Sequence, residues 1–255
     1  MSVDNAREVS WAPPMTLEEK IVNTLVPAPV LWRYRAVKGL LSGEPELRLL
    51  RYLVNPAKTS VDAGANKGVY TYFLAKLSRH VYAYEPNPKI FRLLRRSVGW
   101  PNVTLRPIAL SDATGEDRLI VPRRKAGYSN QLATLRKDKF TGEVLQVPVE
   151  TRRLDDEDVG DVGFIKIDVE GFERNVLLGA ARTLEKARPT LLVEIEEAHT
   201  KEPIEQTLAF VCGLGYEGLF LLQNRLLRLS RFDPVRNHRK ATAQTFVYNF
   251  IFLPV

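Results

Sequence analysis

Residues suited to gripping a nucleotide gather in one short stretch, Asp62-Ala63-Gly64-Ala65-Asn66-Lys67-Gly68, between an apolar run and a helical pattern that begins at Val69. Glycine at 64 permits a positive φ and a close approach of backbone to ligand, and glycine at 68 lets a helix start with no side chain in the way. The turn therefore exposes backbone amides at a helix N-terminus. A dinucleotide fingerprint would need glycine at 64, 66 and 69, but Asn66 and Val69 stand there, so a pyrophosphate is poorly accommodated and NAD and FAD are set aside. Glu85 closes the run VYAYE, 21 positions after Gly64. An acid at the end of a second strand is placed to accept both ribose hydroxyls of an adenosine. Pro86 and Asn87 then turn the chain over the adenine face.

A second group of reactive side chains lies further on. Asp168 ends the run FIKID, Glu170 follows two residues later and Lys166 lies one step deeper, a spacing that puts all three on one side of an extended backbone. A structural reading competes: Lys166 pairing with Asp62 or Asp168 across neighbouring strands, and Glu170 charging the start of a helix near Gly171. His199 follows the strand-like TLLVEI and is the best placed of three histidines for removing a proton near neutrality. His80 and His238, the latter in a basic surface stretch, are read as structural. Asp168, Glu170, Glu194 and Glu196 could hold a divalent cation through oxygen ligands. Spacing alone does not bring them together, so no metal is assigned.

These residues need a scaffold, and the hydrophobic pattern supplies one. From Thr59 onward short apolar runs alternate with helical stretches, the signature of βαβ units and a parallel sheet. Strands are expected at Thr59–Gly64, Val81–Glu85, Val103–Leu110, Phe164–Asp168 and Thr190–Ile195, with helices at Val69–Ser78, Pro88–Val98, Phe172–Lys186 and Pro203–Leu214. YEGLFLLQNRLLRLS suggests a hairpin about Gln223 and Asn224, and TFVYNFIFLP a final strand. Residues 1–57 form an N-terminal helical appendage: Pro13, Pro14, Pro27, Pro29, Pro45 and Pro56 break it into short pieces, with helices expected near Thr16–Leu25 and Pro45–Leu53. Residues 58–255 form the main domain. Within it, residues 114–149 interrupt the rhythm with glycines and prolines and are expected as an insertion of short strands and loops above the sheet.

At 255 residues and 45% hydrophobic content the chain suits one α/β core. The polar opening MSVDNAREVS is unlike a secretory leader, and no apolar run approaches the roughly 20 residues that span a bilayer, so a cytoplasmic location is expected. The single cysteine, Cys212, excludes an internal disulfide and a zinc cluster and reads as a small buried hydrophobe. The net charge of +7 is concentrated between Arg118 and Phe140, where seven basic residues face one acid. That field favours an anionic partner, unless the segment is merely a solvated loop.

The runs SVDAGANKGVYTYFLAK, YEPNP, IALSDATG and above all FIKIDVEGFERNVLLGAARTLEKARPTLLVEIEE resemble the FkbM family of methyltransferases that use S-adenosylmethionine (SAM). The resemblance is strong from Lys58 to Glu197 and weak at YNFIFLP. It implies a class I methyltransferase Rossmann-like fold: a seven-stranded, mostly parallel sheet ordered 3-2-1-4-5-7-6, its last strand antiparallel, with helices on both faces. It also implies SAM as donor and O-methylation of a sugar, glycoconjugate or natural product. By position, Asp62, Gly64, Ala65, Asn66 and Gly68 would line the methionine part of SAM, Glu85 the ribose, and Asn87, Ser111 and Asp112 the adenine. A hydroxyl nucleophile benefits from a general base, for which Asp168, His199 and Glu170 are the candidates, with Asp168 first for contact with the sulfonium end or the acceptor. The expected acceptor is a small molecule or glycan, and a homo-oligomer is left open. RNA methylation is a rival that the basic segment favours, but no Asn/Asp-Pro-Pro-aromatic motif and no RNA-binding module accompany it, so nucleic acid is not the expected partner. A SAM-binding partner subunit without activity is the non-enzymatic alternative.

Overall fold

The computed structural model describes residues 21–22, 24–124, 127–128, 132–136 and 143–255. Strand β1 (Thr59–Ala63) is buried along its whole length, as a central parallel strand with helices on both faces must be. It leads into α3 (Val69–Leu77), β2 (His80–Tyr84), α4 (Pro88–Ser97) and β3 (Val103–Arg106). After an excursion, β8 (Val162–Ile167) returns beside β1, followed by α5 (Glu173–Gly179), α6 (Ala181–Ala187), β9 (Thr190–Glu194), α7 (Glu197–Thr200) and α8 (Ile204–Gly213). The chain ends with the hairpin β10 (Tyr216–Leu222) and β11 (Arg225–Arg228) and the last strand β12 (Asn249–Pro254).

The sheet order is β3-β2-β1-β8-β9-β12-β10-β11. Its first seven members follow the order that the resemblance implies, and β12 runs antiparallel to both β9 and β10. The sheet holds eight strands rather than seven, because the expected hairpin adds β11 at the edge. Its turn is Gln223-Asn224, both with positive φ, as tight hairpin turns demand. One core layer joins Val61, Ile165, Leu191, Val193, Phe220 and Phe250 to the α5, α6 and α8 side, and the other packs Leu74, Phe164, Leu192 and Ile251 beneath α3.

Four expectations are corrected. The N-terminal region contains a 15-residue helix, α1 (Ala28–Ser42), that the proline pattern hid: Pro27 is its N-cap and Pro29 lies in its first turn, where the missing N–H costs nothing. The expected Pro45–Leu53 helix is a 3-10 turn (Pro45–Arg48) followed by one turn, α2 (Leu50–Leu53), and the expected Thr16–Leu25 helix lies largely outside the described residues. The expected strand Val103–Leu110 divides at Pro107, which cannot donate to a ladder; its second part, β4 (Ala109–Leu110), joins another sheet. The expected helix Phe172–Lys186 divides at Ala180 into α5 and α6, and α6 is capped by the carboxylate of Asp155, which accepts from Arg182 N (2.8 Å) and Thr183 N (2.9 Å).

The second sheet, ordered β4-β7-β5-β6, is built on two long strands, β5 (Gly115–Arg124) and β7 (Val144–Arg152), with the short β6 (Gly127–Tyr128). Long strands replace the short ones expected here. On β7, Val147, Val149 and Thr151 point inward while Gln146, Pro148, Glu150 and Arg152 face out, the period-two alternation of a half-buried strand. Val147 and Val149 join Ala109, Leu119, Val121 and Leu135 in a small core of their own. Much of the basic run falls outside the described residues, including Lys125, Lys137 and Lys139. Among the described residues no helix is long and apolar enough to cross a membrane.

Candidate functional site

At the carboxyl ends of β1, β2, β8 and β9 lies a cavity of about 280 Å³, lined on one side by Gly64, Asn66, Glu85 and Pro86 and on the other by Asp168, Val169, Glu170 and Glu194. Gly64, Asn66 and Gly68 all have positive φ, so the loop after β1 winds left-handed. Gly64 has no alternative, since a Cβ there would sit 1.8 Å from the Asp168 carbonyl oxygen and at φ +82°. The close crossing fastens the β1 tip to the β8 tip. Asn66 N donates to Glu85 Oε2 and Asn87 N to Glu85 Oε1, each at 2.8 Å, so the carboxylate is held rigidly at the cavity edge by two amides. Burial nevertheless pushes Glu85 up to about 7, against those two hydrogen bonds.

The other side is crowded with charge. Lys166 is buried, with Nζ 3.8 Å from Asp168 Oδ2, 3.4 Å from Asn249 Oδ1 and over the Tyr70 ring. Burial alone would lower this lysine, yet Asp168, Glu44, Glu194 and Asp62 outweigh it and hold Lys166 above its ordinary value. Burial first, and repulsion from Asp168 second, push Glu194 well above the usual carboxylate range. Asp62 is also raised, to about 6, by burial, although Thr71 Oγ1 donates to it at 2.5 Å. The regular alternation expected for Lys166, Asp168 and Glu170 stops at the end of β8, because Glu170 and Gly171 both adopt positive φ. Glu170 Oε2 lies 3.2 Å from His199 Nδ1, and Glu173 accepts from Gly171 N.

His199 sits on the short α7 and does not itself line the cavity; it reaches it through Glu170. His199 Nε2 lies 3.7 Å from Glu196 Oε2. Metal-ligating atoms of Glu170, Glu194 and His199 fall within 4.8 Å of one another, a different set from the four acids that spacing suggested; Asp168 and Glu196 are not in it. The turn bearing His199 is positioned from afar. His238, expected at the surface, is buried: its ring is stacked on Phe246, its Nδ1 meets Val247 O at 2.9 Å, and its Nε2 accepts from Glu197 N at 3.1 Å. Arg239 grips the Glu197 carboxylate at 2.6 Å. His80 pairs with Thr104, consistent with a structural place. Cys212 packs half-buried against the main core, and burial raises its thiol.

Of the remaining sequence-derived residues, Asp62, Ala65, Gly68, Asn87, Ser111 and Asp112 do not line the cavity. Asn87 caps α4, its Oδ1 accepting from Lys89 N, and Ser111 donates to Asp112. They support the walls from behind. Sequence reasoning missed the remaining lining: Ile108 with Ala109 and Leu110 of β4 in the second sheet, Leu119 of β5, the neighbouring Ala133–Leu135, Phe172, Tyr84 and Glu44. The insertion's Leu119 and Leu135 were legible only as apolar residues in a polar stretch.

The methyltransferase FkbM domain model matches residues 62–217 of this chain. No curated protein matches it by sequence. Among solved structures, an FkbM methyltransferase from Methylobacillus flagellatus is similar over 89% of this chain and 55% of its own, at 16% identity and a TM-score of 0.46. The chain thus spans about half the length of that structure. An rRNA methylase from Streptococcus thermophilus (15% identity, 83% and 95% covered, TM-score 0.48) and a precorrin-6y C5,15-methyltransferase from Geobacter metallireducens (11%, 85% and 91%, 0.47) are similarly distant.

Proposed function

The chain belongs to the FkbM methyltransferase family, and from that premise we propose that it transfers a methyl group from SAM to a hydroxyl oxygen of a sugar, glycoconjugate or natural product. The observation that carries this reading is the placement of Glu85: a carboxylate fixed by two backbone amides at the tip of the second strand, across the cavity from Glu170 and its partner His199. The first arrangement suits a vicinal diol such as ribose, whose two hydroxyls donate to one carboxylate. SAM supplies, when bound, a methyl group made electrophilic by an adjacent sulfonium.

The chain's own work is to bind, align and deprotonate. Gly64, Asn66 and Pro86 shape the cofactor wall, and Ile108, Ala109 and Leu110 offer an apolar face for adenine. On the far wall, the Asp168 backbone crosses closest to the β1 tip, its carbonyl oxygen against Gly64, and its carboxylate is assigned to the sulfonium end. Glu170 takes the acceptor's hydroxyl proton, and His199 at 3.2 Å shares it and steadies the carboxyl. The hydrophobic roof of Leu119 and Leu135 keeps water from the reacting pair. The chain's positive charge favours an acceptor that carries phosphate or carboxylate. The test is methyl transfer from labelled SAM to a panel of neutral and anionic glycosides, with RNA as a parallel arm. Label in glycosides supports the reading; label in RNA alone, or in nothing despite SAM binding, overturns it in favour of the nucleic-acid or the non-catalytic alternative.

A further inference from the structure

Glu44 lies outside the matched family region, in the segment joining α1 to the 3-10 turn, yet its side chain lines the same cavity as Gly64, Glu85, Asp168 and Glu194. Two hydrogen bonds fix it there: Tyr70 OH donates at 2.6 Å and Asn249 Nδ2 at 2.8 Å. Both fall on Oε2, so Oε1 has no hydrogen bond among the described residues.

Its place in the fold defines which end of the cavity it serves. Tyr70 belongs to the first turn of α3, directly after the loop Gly64–Gly68, and Asn249 opens β12 opposite Glu194 of β9. Glu85 stands at the tip of β2, on the other flank of β1. Between β2 and β9 the cavity crosses three strand spacings, roughly 14 Å at about 4.8 Å each. A ligand whose ribose is held at Glu85 must extend its far end toward Glu44. That end is also crowded with carboxyl groups, since Asp168 and Glu194 join Glu44 around the buried Lys166. A cationic group arriving there relieves repulsion as well as gaining a partner.

The segment is held as part of the site. Trp32 of α1 is buried and its Nε1 donates to Gly68 O at 2.7 Å, tying the appendage to the cofactor loop. Two residues beyond Glu44, the buried Glu46 carries an Oε2 that no described atom partners. The N-terminal segment thus brings two carboxyl groups to the crowded end of the sheet.

Resting on the SAM reading above, we propose that Glu44 is a further cofactor-binding residue, its carboxylate accepting hydrogen bonds from the α-ammonium group of the methionine moiety. The appendage then completes a cofactor site that the family region leaves open at one end. The decisive comparison uses two probes, S-adenosylhomocysteine, which carries the ammonium, and 5′-methylthioadenosine, which lacks the whole amino-acid end. Calorimetry on the full chain and on Glu44→Gln measures both. The amide oxygen of glutamine can still accept from Tyr70 and Asn249, so the local fold is kept, and a matching melting temperature checks this. Loss of a charge-assisted hydrogen bond should weaken S-adenosylhomocysteine about tenfold while methylthioadenosine changes less than about twofold. Tyr70→Phe, which loosens the anchor but leaves the charge, should weaken S-adenosylhomocysteine by a smaller factor. Unchanged S-adenosylhomocysteine affinity in Glu44→Gln, or an equal loss for both probes, overturns the proposal while leaving the cofactor reading intact. Failure of the unaltered chain to bind either probe removes the cofactor reading and this proposal with it.

Discussion

The two walls of the cavity are built on opposite principles. Around Glu85 the contacts that hold the carboxylate are short-range within one βαβ unit: Asn66 and Asn87 amides grip it, Asn87 caps the next helix, and Gly64 and Gly68 set the turn. Around Glu170 the contacts come from β8, β9, α7, β12, the π-helical turn bearing His238, and the N-terminal segment, and like charges face one another across a buried lysine. A site that must hold one constant ligand can be rigid and satisfied beforehand. A site for proton removal keeps carboxylates close and imperfectly neutralised, where the arrival of substrate shifts their balance.

The largest effect that would sharpen this contrast is on turnover. His199→Ala should cost about 10²–10⁴ in kcat, the usual range for losing acid–base assistance, while SAM affinity measured by calorimetry changes little. Full activity would remove His199 from the proposed proton path and leave Glu170 alone in it. Gly64→Ala attacks the joint between the walls, where Asp168 O leaves no room for a Cβ. Urea unfolding should report a loss of about 2–4 kcal/mol, and a near-neutral result would mean that the crossing is looser than described. Glu85→Ala should do the reverse of His199→Ala, weakening SAM about 10- to 100-fold with a smaller change in saturated turnover.

The smallest effect concerns pH. Burial holds Glu46 and Glu85 at about 7 and Asp62 at about 6, above their values in an unfolded chain. The folded chain therefore keeps protons that the unfolded chain releases, and this contribution to stability is present below about pH 4 and lost as pH rises through 6 to 7. With ribose on Glu85 as proposed, SAM binding should run the other way, because only the ionised carboxylate accepts from both hydroxyls. Melting temperature without ligand should drift down between pH 5 and 8 while SAM affinity climbs; parallel slopes would contradict the assignment.

The same contrast explains what the sequence made legible. Strand-end acids and a glycine turn 21 residues apart belong to one contiguous unit, so Gly64, Asn66 and Glu85 could be read directly. The seven main strands follow from alternating apolar runs, and the eighth came from the hairpin about Gln223 and Asn224. Glu44 and His238 could not be read, because their partners lie 205 and 41 residues away and no periodicity announces such contacts. α1 was hidden by its own prolines, which mark a helix start as readily as a break. The division of Val103–Leu110 was signalled by Pro107, which the apolar run around it outweighed.

The most direct measurement is equilibrium titration of SAM into the purified chain. Expected is one equivalent bound per chain at about micromolar affinity, lost in large part on Glu85→Ala. Absence of binding at millimolar SAM, or identical binding by the variant, would contradict the assignment of the strand-tip cavity to this cofactor.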